Sequence, residues 1–353
     1  MDTRRLPRRA GSTELRYDPV LGTWVMYASH RQGRSYLPSA DDCPLCPSAP
    51  GHSTEIPEPD YEVVVFENRF PALVAPLAAG TVRSGDGAGG RPVAGASPVD
   101  GADGRGPAVL SVARAGAGRC EVVCYSADHC SSFAQLSAER VGTLVAALAD
   151  RTVELGDRSD VELVFCFENR GREIGVTQPH PHGQIYAYPF VPDHMARSIG
   201  SAEAYRRSHG RNLFDDLVAR ERAQAVRMVL ATEHWSAFVP HAARWPFEVH
   251  CYPVQRVPDL ASLSAPARAE LPEVLLDVYG RFDRLFGRPA PYVAGWYQAP
   301  AKRSRAEFAL HLEIFTLRRT ADKLKYLAGS ESGMGAFAND VAPEEAAERL
   351  RSV

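Results

Sequence analysis

The densest chemistry in the chain lies in Gln178-Pro179-His180-Pro181-His182-Gly183-Gln184, which runs directly into the strand-like Ile185-Tyr186-Ala187-Tyr188. Residues two apart in an extended chain face the same way, so His180, His182 and Gln184 share a side and both imidazoles can serve one site. The two prolines remove backbone donors and hold an extended geometry, while Gly183 lets the backbone come close to a ligand. A neutral imidazole is a competent nucleophile toward phosphorus near neutral pH, because its lone pair needs no prior deprotonation. The amide of Gln184 can donate to a phosphoryl oxygen. The plainer reading of a His-x-His pair is structural or metal-binding, but strand filler has no need of the glycine, glutamine and two prolines packed around it.

A second cluster is Cys43-Pro44-Leu45-Cys46. Two thiolates at this spacing supply half of a tetrahedral zinc site, which needs two further nitrogen or sulfur ligands. His129, in Ser126-Ala127-Asp128-His129, and one histidine of the His180/His182 pair would complete a Cys2His2 set. Two structural cysteines without metal are the alternative. The seven cysteines, an odd number, include this one tight pair, which in a reducing compartment favours metal binding or redox chemistry over a disulfide framework.

These residues need a scaffold, and 353 residues are enough for one large core or two medium ones. Runs such as Glu121–Tyr125 and Val161–Phe167 read as strands. Val141, Leu144, Val145 and Leu148 after Ser137, and later Leu275, Val278, Tyr279 and Phe282, read as sheet-covering helices. The class is α+β with mostly antiparallel sheet. Residues 120–137 can be laid without a gap on residues 247–264, so strand, turn and helix start recur and the chain reads as two similar halves. Residues 79–118, rich in Gly, Ala, Pro and Asp, read as a flexible loop. A formal charge of −3 gives no global basic field, which argues against extended nucleic acids and for small phosphorylated ligands. The basic N-terminal stretch lacks the apolar core of a signal peptide, and no run approaches about eighteen consecutive apolar residues, so the expectation is a cytoplasmic protein without a membrane span.

The histidine motif combined with the Cys43/Cys46 pair and Trp245-Pro246-Phe247-Glu248 is far more specific than any one of them. Further motifs are Tyr17-Asp18-Pro19, Gly22-Thr23-Trp24-Val25, Ser29-His30-Arg31, Phe66-Glu67-Asn68-Arg69-Phe70-Pro71-Ala72-Leu73, Phe167-Glu168-Asn169, Glu233-His234-Trp235 and Ala346-Ala347-Glu348-Arg349-Leu350. Across most of its length the chain therefore resembles the galactose-1-phosphate uridylyltransferases of the histidine triad superfamily. The resemblance implies a duplicated histidine-triad-like fold, with an N-terminal half over 1–195 and a degenerate C-terminal half over 196–353. It implies that His182 takes the uridylyl group from UDP-glucose and passes it to galactose 1-phosphate, with Gln184 steadying the transferring phosphoryl group. It implies that Cys43, Cys46, His129 and His180 hold a structural zinc, so the two histidines of the pair have separate jobs. Asn68 and Phe70 match positions beside the uridine, and Asn169 and Thr177 positions near the phosphates. Arg31, Arg34 and Lys325 resemble residues that meet substrate phosphates, in part across a homodimer interface.

Two departures stand out. The family's second metal site, iron-type in some members, uses one Glu and three His; the matching positions here are Ser198, Tyr297, His311 and Glu313, which implies its loss. At the sugar-contacting end Glu331 is retained, but the following glutamine has become Ala338 or a neighbour, which loosens the inference to a particular hexose. The rival activities are a related phosphorylase or adenylyltransferase of the ADP-glucose type using the same histidine, and a nucleotide hydrolase without a sugar-phosphate acceptor. A zinc-supported nucleotide-binding module without turnover is the reading from a different class.

Overall fold

The computed structural model describes residues 13–33, 37–74 and 110–353. The elements are, in order, β1 (Glu14–Asp18), β2 (Thr23–Tyr27), β3 (Val64–Glu67), β4 (Ala113–Ala115), β5 (Arg119–Cys124), α1 (Ala138–Gly156), β6 (Leu163–Arg170), β7 (His182–Tyr188), α2 (Asp193–His209), α3 (Leu213–Gln224), β8 (Met228–Ala231), β9 (Trp235–Phe238), β10 (Phe247–Pro253), α4 (Ala265–Arg284), β11 (Tyr292–Tyr297), β12 (His311–Thr316) and α5 (Pro343–Arg351). Nine strands form one antiparallel sheet in the order β3-β5-β7-β6-β11-β12-β10-β9-β8. The succession β5, α1, β6, β7 repeats as β10, α4, β11, β12, and the inner order β5-β7-β6 is mirrored as β11-β12-β10 about the β6–β11 seam. The repeat anticipated between residues 120–137 and 247–264 is thus one half of a two-fold arrangement.

Alternation along each strand decides what each face carries. On one face Val123, Val164, Cys166, Ile185, Ala187, Val249, Cys251, Ala294, Trp296, Leu312 and Ile314 are buried beneath α1 and α4 in a single core. Both helices follow the anticipated apolar stripe: α1 buries Val141, Leu144, Val145 and Leu148, and α4 buries Leu275, Val278, Tyr279 and Phe282. Ser137 caps α1 by accepting from the Arg140 amide, and Ser264 caps α4 by accepting from Ala267. Burying such a side chain stabilises by about 1.5–3 kcal/mol, so this face is the main source of cohesion.

The other face is covered piecemeal. The small sheet β2-β1-β4 packs over its β5–β7 part through Leu15, Leu73, Cys120 and Tyr186. The Cys43–Cys46 segment packs beside it with Leu45 and Ile56 on Val122 and Cys124. Helices α2 and α3 cover the far part through Met195, Ile199, Phe214 and Val218 against Phe238, Tyr252 and Phe308. Strand β4 corrects the expectation of an unstructured loop across 79–118: its Ala113–Ala115 pair with Glu14–Arg16 of β1. The rest of that stretch, up to 109, lies outside the described residues.

At the seam Gly295 of β11 sits opposite Phe167 of β6, and a Cβ there would stand 2.5 Å from Cζ of Phe165. Phe165 has little freedom to yield, being stacked on Phe167 with centroids 5.2 Å apart and edge-on to Tyr297. Gly295→Ala should therefore destabilise the chain by about 1–3 kcal/mol through overpacking. Because the seam is continuous sheet, urea unfolding followed by far-UV circular dichroism and by tryptophan fluorescence should shift together in one transition. An unchanged midpoint, or two separate transitions, would contradict a shared seam.

Candidate active site and metal centre

Strand β7 begins at His182, and its register places the key side chains. Across β5–β7, Cys124 lies opposite His182 and Val122 opposite Gln184; across β6–β7, Phe167 lies opposite Gln184. All therefore share the face turned away from α1 and α4. A cavity of about 350 Å3 opens there, lined by His182, Gln184, Asn68, Phe70, Thr177, Gln178, Phe66 and Val122, with Asp42, Glu55 and Arg69 among its polar rim. A second hollow of about 210 Å3 is also bordered by His182 and Gln178 and takes in Asn169 and Arg170. The five residues Asn68, Phe70, Thr177, His182 and Gln184 are thus brought together, with Asn169 next door across the histidine.

The ring of His182 is held in one tautomer. Its Nδ1–H donates to the His180 carbonyl at 2.8 Å, which leaves the Nε2 lone pair as the reactive position. Burial lowers the pKa below the ordinary imidazole value, against the opposing effect of that same hydrogen bond, so the ring is neutral where a nucleophile must be. Asn68 Nδ2 donates to Gln184 Oε1 at 3.5 Å, and Asn68 Oδ1 accepts from the Phe70 amide at 2.8 Å. With its oxygen so engaged, the Gln184 amide NH2 is the end of the side chain available to a phosphoryl oxygen.

Gly183 works differently from the expectation. A Cβ on it would lie 3.1 Å from the Phe167 carbonyl oxygen and 3.1 Å from Val123 Cγ1, on the helix-covered side. Its smallness serves close strand packing under the site rather than approach to a ligand, because alternation turns residue 183 away from the face that His182 and Gln184 share.

His180 precedes β7, and its ring leaves the cavity for a different partner set, so the two histidines do not serve one site. Cys43, Cys46, His129 and His180 bring their donor atoms within 4.8 Å of one another. Cys46 Sγ lies 3.4 Å from His129 Nδ1 and 3.5 Å from His180 Nδ1. Ligands at about 2.3 Å (S) and 2.0–2.1 Å (N) from a tetrahedral ion would be about 3.5 Å apart, so the donor set and its spacing fit zinc. His180 Nε2–H donates to the Ser126 carbonyl at 2.8 Å, which puts the lone pair on Nδ1, facing the sulfur; burial lowers its pKa to about 4, keeping the ring neutral. Tyr61, which the sequence did not single out, places its hydroxyl 3.0 Å from His180 Nε2 while donating to the Ser126 carbonyl at 2.6 Å. Such outer partners orient a metal-binding histidine. The backbone carbonyl of this same His180 anchors His182, so the metal centre and the nucleophile are one residue's two ends.

The remaining expected residues lie elsewhere. Arg31 lines an open hollow on the small sheet with Thr13, Glu14 and Arg16. Lys325 is buried and bonded to the Ala338 carbonyl and, at 3.4 Å, to Glu331, so the structure joins these two to each other and not to the His182 cavity. Arg34 lies outside the described residues.

Known proteins match along nearly the whole chain. The family described as "Galactose-1-phosphate uridyl transferase, N-terminal domain" matches residues 6–192, and its C-terminal domain matches residues 198–353. The chain belongs to the galactose-1-phosphate uridyl transferase family. Among members of that family, a galactose-1-phosphate uridylyltransferase of Streptomyces lividans is 44% identical over 370 residues, covering 100% of this chain and 90% of its own. One from Thermotoga maritima is 36% identical over 340 residues, covering 96% and 98%. A solved uridylyltransferase structure superposes with a TM-score of 0.79 at 28% identity, covering 96% of this chain and 98% of that one. An ADP-glucose phosphorylase from Arabidopsis thaliana shares the fold, with a TM-score of 0.67 at 21% identity.

Replacing Cys43 and Cys46 by Ser should remove one equivalent of bound metal per chain and lower the thermal midpoint by about 5 °C or more, as loss of a structural site does. Elemental analysis and calorimetry check this; an unchanged metal content would show that the four donors hold no ion.

Proposed function

We propose that the chain is a galactose-1-phosphate uridylyltransferase that works by ping-pong transfer through a uridylyl group on Nε2 of His182. In the first half-reaction Nε2 attacks the α-phosphorus of UDP-glucose, and the bond from that phosphorus to the bridging oxygen breaks, so glucose 1-phosphate departs with the electron pair. In the second, a phosphate oxygen of galactose 1-phosphate attacks the same phosphorus, the P–N bond breaks, and UDP-galactose leaves with the imidazole neutral again. The observation that carries this reading is the fixed tautomer: Nδ1 is bound to the His180 carbonyl, which leaves the Nε2 lone pair free, on a histidine that lines the same cavity as Gln184.

Gln184 donates to a non-bridging oxygen as charge gathers there, the kind of fixed dipole on which phosphoryl transfer depends. Asn68 and Phe70 border the region for uridine and ribose, and Thr177 and Asn169 flank the histidine where the phosphates pass. Arg31, Arg34, Lys325 and Glu331 serve the sugar-phosphate end through a homodimer, which accounts for the separation of Arg31, Lys325 and Glu331 from the cavity within one chain. The Cys43, Cys46, His129 and His180 site holds a structural zinc, whose contribution is to stiffen the segment that carries His180; the chemistry of transfer stays with His182 and Gln184. With the halves dividing near residue 195, the catalytic motif belongs to the first. All seven cysteines are unpaired, as expected of a cytoplasmic enzyme, and among the described residues no helix is long and apolar enough to cross a membrane.

Mixed with UDP-glucose and analysed by intact-protein mass spectrometry away from acid, the wild type should gain one uridylyl group, and a His182→Asn variant none. Addition of galactose 1-phosphate should discharge the adduct. An adduct from ADP-glucose but not UDP-glucose would move the activity to the adenylyl rival, and no adduct from either would end the covalent mechanism.

A further inference from the structure

Of Phe167-Glu168-Asn169, the two outer residues face the open side of the sheet and Glu168 faces the other. Glu168 lies between Gly183 of β7 and Ala294 of β11, beneath α1 and α4, and is only 8% exposed. A carboxyl group left unpaired in such a place is strongly unfavourable, and here one oxygen is paired twice. Tyr125 and Tyr292 both donate their hydroxyls to Glu168 Oε1 at 2.6 Å. Both rings are themselves held: Tyr125 stands edge-on to Phe133 with centroids 5.8 Å apart, and Tyr292 edge-on to Tyr279 at 5.2 Å. The Arg170 guanidinium covers the Tyr292 ring at 4.3 Å and is bonded to Asp283 and the Ala290 carbonyl.

The bond from Tyr125 has to pass beneath the nucleophile's strand. Tyr125 directly follows β5, whose last residue, Cys124, lies opposite His182, whereas Glu168 belongs to β6, on the far side of β7. Position 183, opposite Glu168, is a glycine, and Tyr125, Gly183 and Glu168 line one small void of about 40 Å3. Tyr125 and Glu168 also border the hollow that His180 and His182 border.

The backbone then carries the constraint upward. Ser126 follows Tyr125, and its carbonyl accepts from His180 Nε2 at 2.8 Å. The His180 carbonyl in turn accepts from His182 Nδ1 at 2.8 Å. A change at 168 or 125 therefore reaches the nucleophile through the ring and then the carbonyl of His180. A second route is direct, because Glu168 and Gly183 are cross-strand neighbours.

We propose that Glu168 is a positioning residue for His182. By holding the Tyr125 hydroxyl it sets the Ser126 carbonyl, which sets the His180 ring, whose own carbonyl keeps the His182 proton on Nδ1 and the lone pair on Nε2. Tyr292 ties the same carboxyl oxygen to β11, so the mount of the nucleophile is also fixed across the seam. Glu168 itself stays on the covered face. The assignment rests on His182 as the nucleophile, but its effect on the resting ring is independent of substrate.

The test compares Glu168→Leu, Glu168→Gln and Tyr125→Phe in the full chain. Nitrogen-15 spectra report the histidine rings at rest, and rapid-quench mass spectrometry reports the rate at which UDP-glucose forms the uridylyl adduct. Glu168→Leu keeps the bulk and loses the acceptor, whereas Glu168→Gln keeps an oxygen that both phenols can use. Tyr125→Phe removes a single hydroxyl and carries the test should Glu168→Leu fail to fold. Glu168→Leu and Tyr125→Phe should place part of the His182 proton on Nε2 and slow adduct formation about 10- to 100-fold with KM unchanged, the scale on which small displacements of a reacting group act. Glu168→Gln should restore the wild-type tautomer and most of the rate. A folded Tyr125→Phe variant with the wild-type tautomer, whatever its rate, would overturn the proposal, as would a Glu168→Gln variant as impaired as Glu168→Leu. Absence of an adduct in the wild type would sink the transfer reading instead, and the tautomer comparison would still decide the role of Glu168.

Discussion

A β-sheet has only two faces, and here one of them is closed by α1 and α4 over a continuous apolar core. The strand-borne members of the candidate site therefore lie on the opposite face, which each reaches by falling on the right parity of its strand. His182 and Gln184 on β7 and Asn169 on β6 all obey this constraint. A slip of one residue in β7 would bury His182 beneath α1 and turn Gly183 and Ile185 outward. The small residue at 183 and the close packing beneath it guard that register, and the seam at Gly295 extends it into the second half.

On this face the same backbone device is used twice. A histidine at the start of an inner strand gives its Nδ1 proton to the carbonyl two residues earlier, at 2.8 Å for His182 and 2.9 Å for His311. What surrounds the exposed Nε2 then decides its use. Beside Gln184 and an open cavity it suits the nucleophilic role proposed for His182; at His311 it lies beside the Glu313 carboxylate, enclosed between the rings of Tyr252 and Tyr297. The first copy is further tied to the cysteine centre, because His180 offers its ring to Cys46 and its carbonyl to His182.

Much of this was legible in the chain itself. The alternation from His182 onward, the Ser137 cap and stripe of α1, the matching stripe of α4 and the repeat between 120–137 and 247–264 are local patterns, and local patterns survive folding. The cysteine centre was within reach because Cys43-Pro44-Leu45-Cys46 advertises half of it. Features that depend on pairing between distant strands were not legible. Tyr61 gains meaning only from the fold that brings it against His180 from 119 residues away. Gly183 was read as letting the backbone approach a ligand, because the neighbours that its small size serves, Phe167 and Val123, come from strands that only the fold brings beside it. Strand β4 hid in a glycine-rich stretch because its pairing partner, β1, lies about a hundred residues earlier in the chain.

The central claim is that His182 is held with its proton on Nδ1 so that Nε2 does the chemistry. Nitrogen-15 labelling of the histidines, with one spectrum taken before and one after exposure to UDP-glucose, tests it most directly. Before exposure, near neutral pH, the account predicts a His182 ring protonated at Nδ1 and bare at Nε2; afterwards it predicts phosphorus-to-nitrogen coupling at Nε2 alone. Coupling at Nδ1, or a resting ring protonated at Nε2, would contradict it.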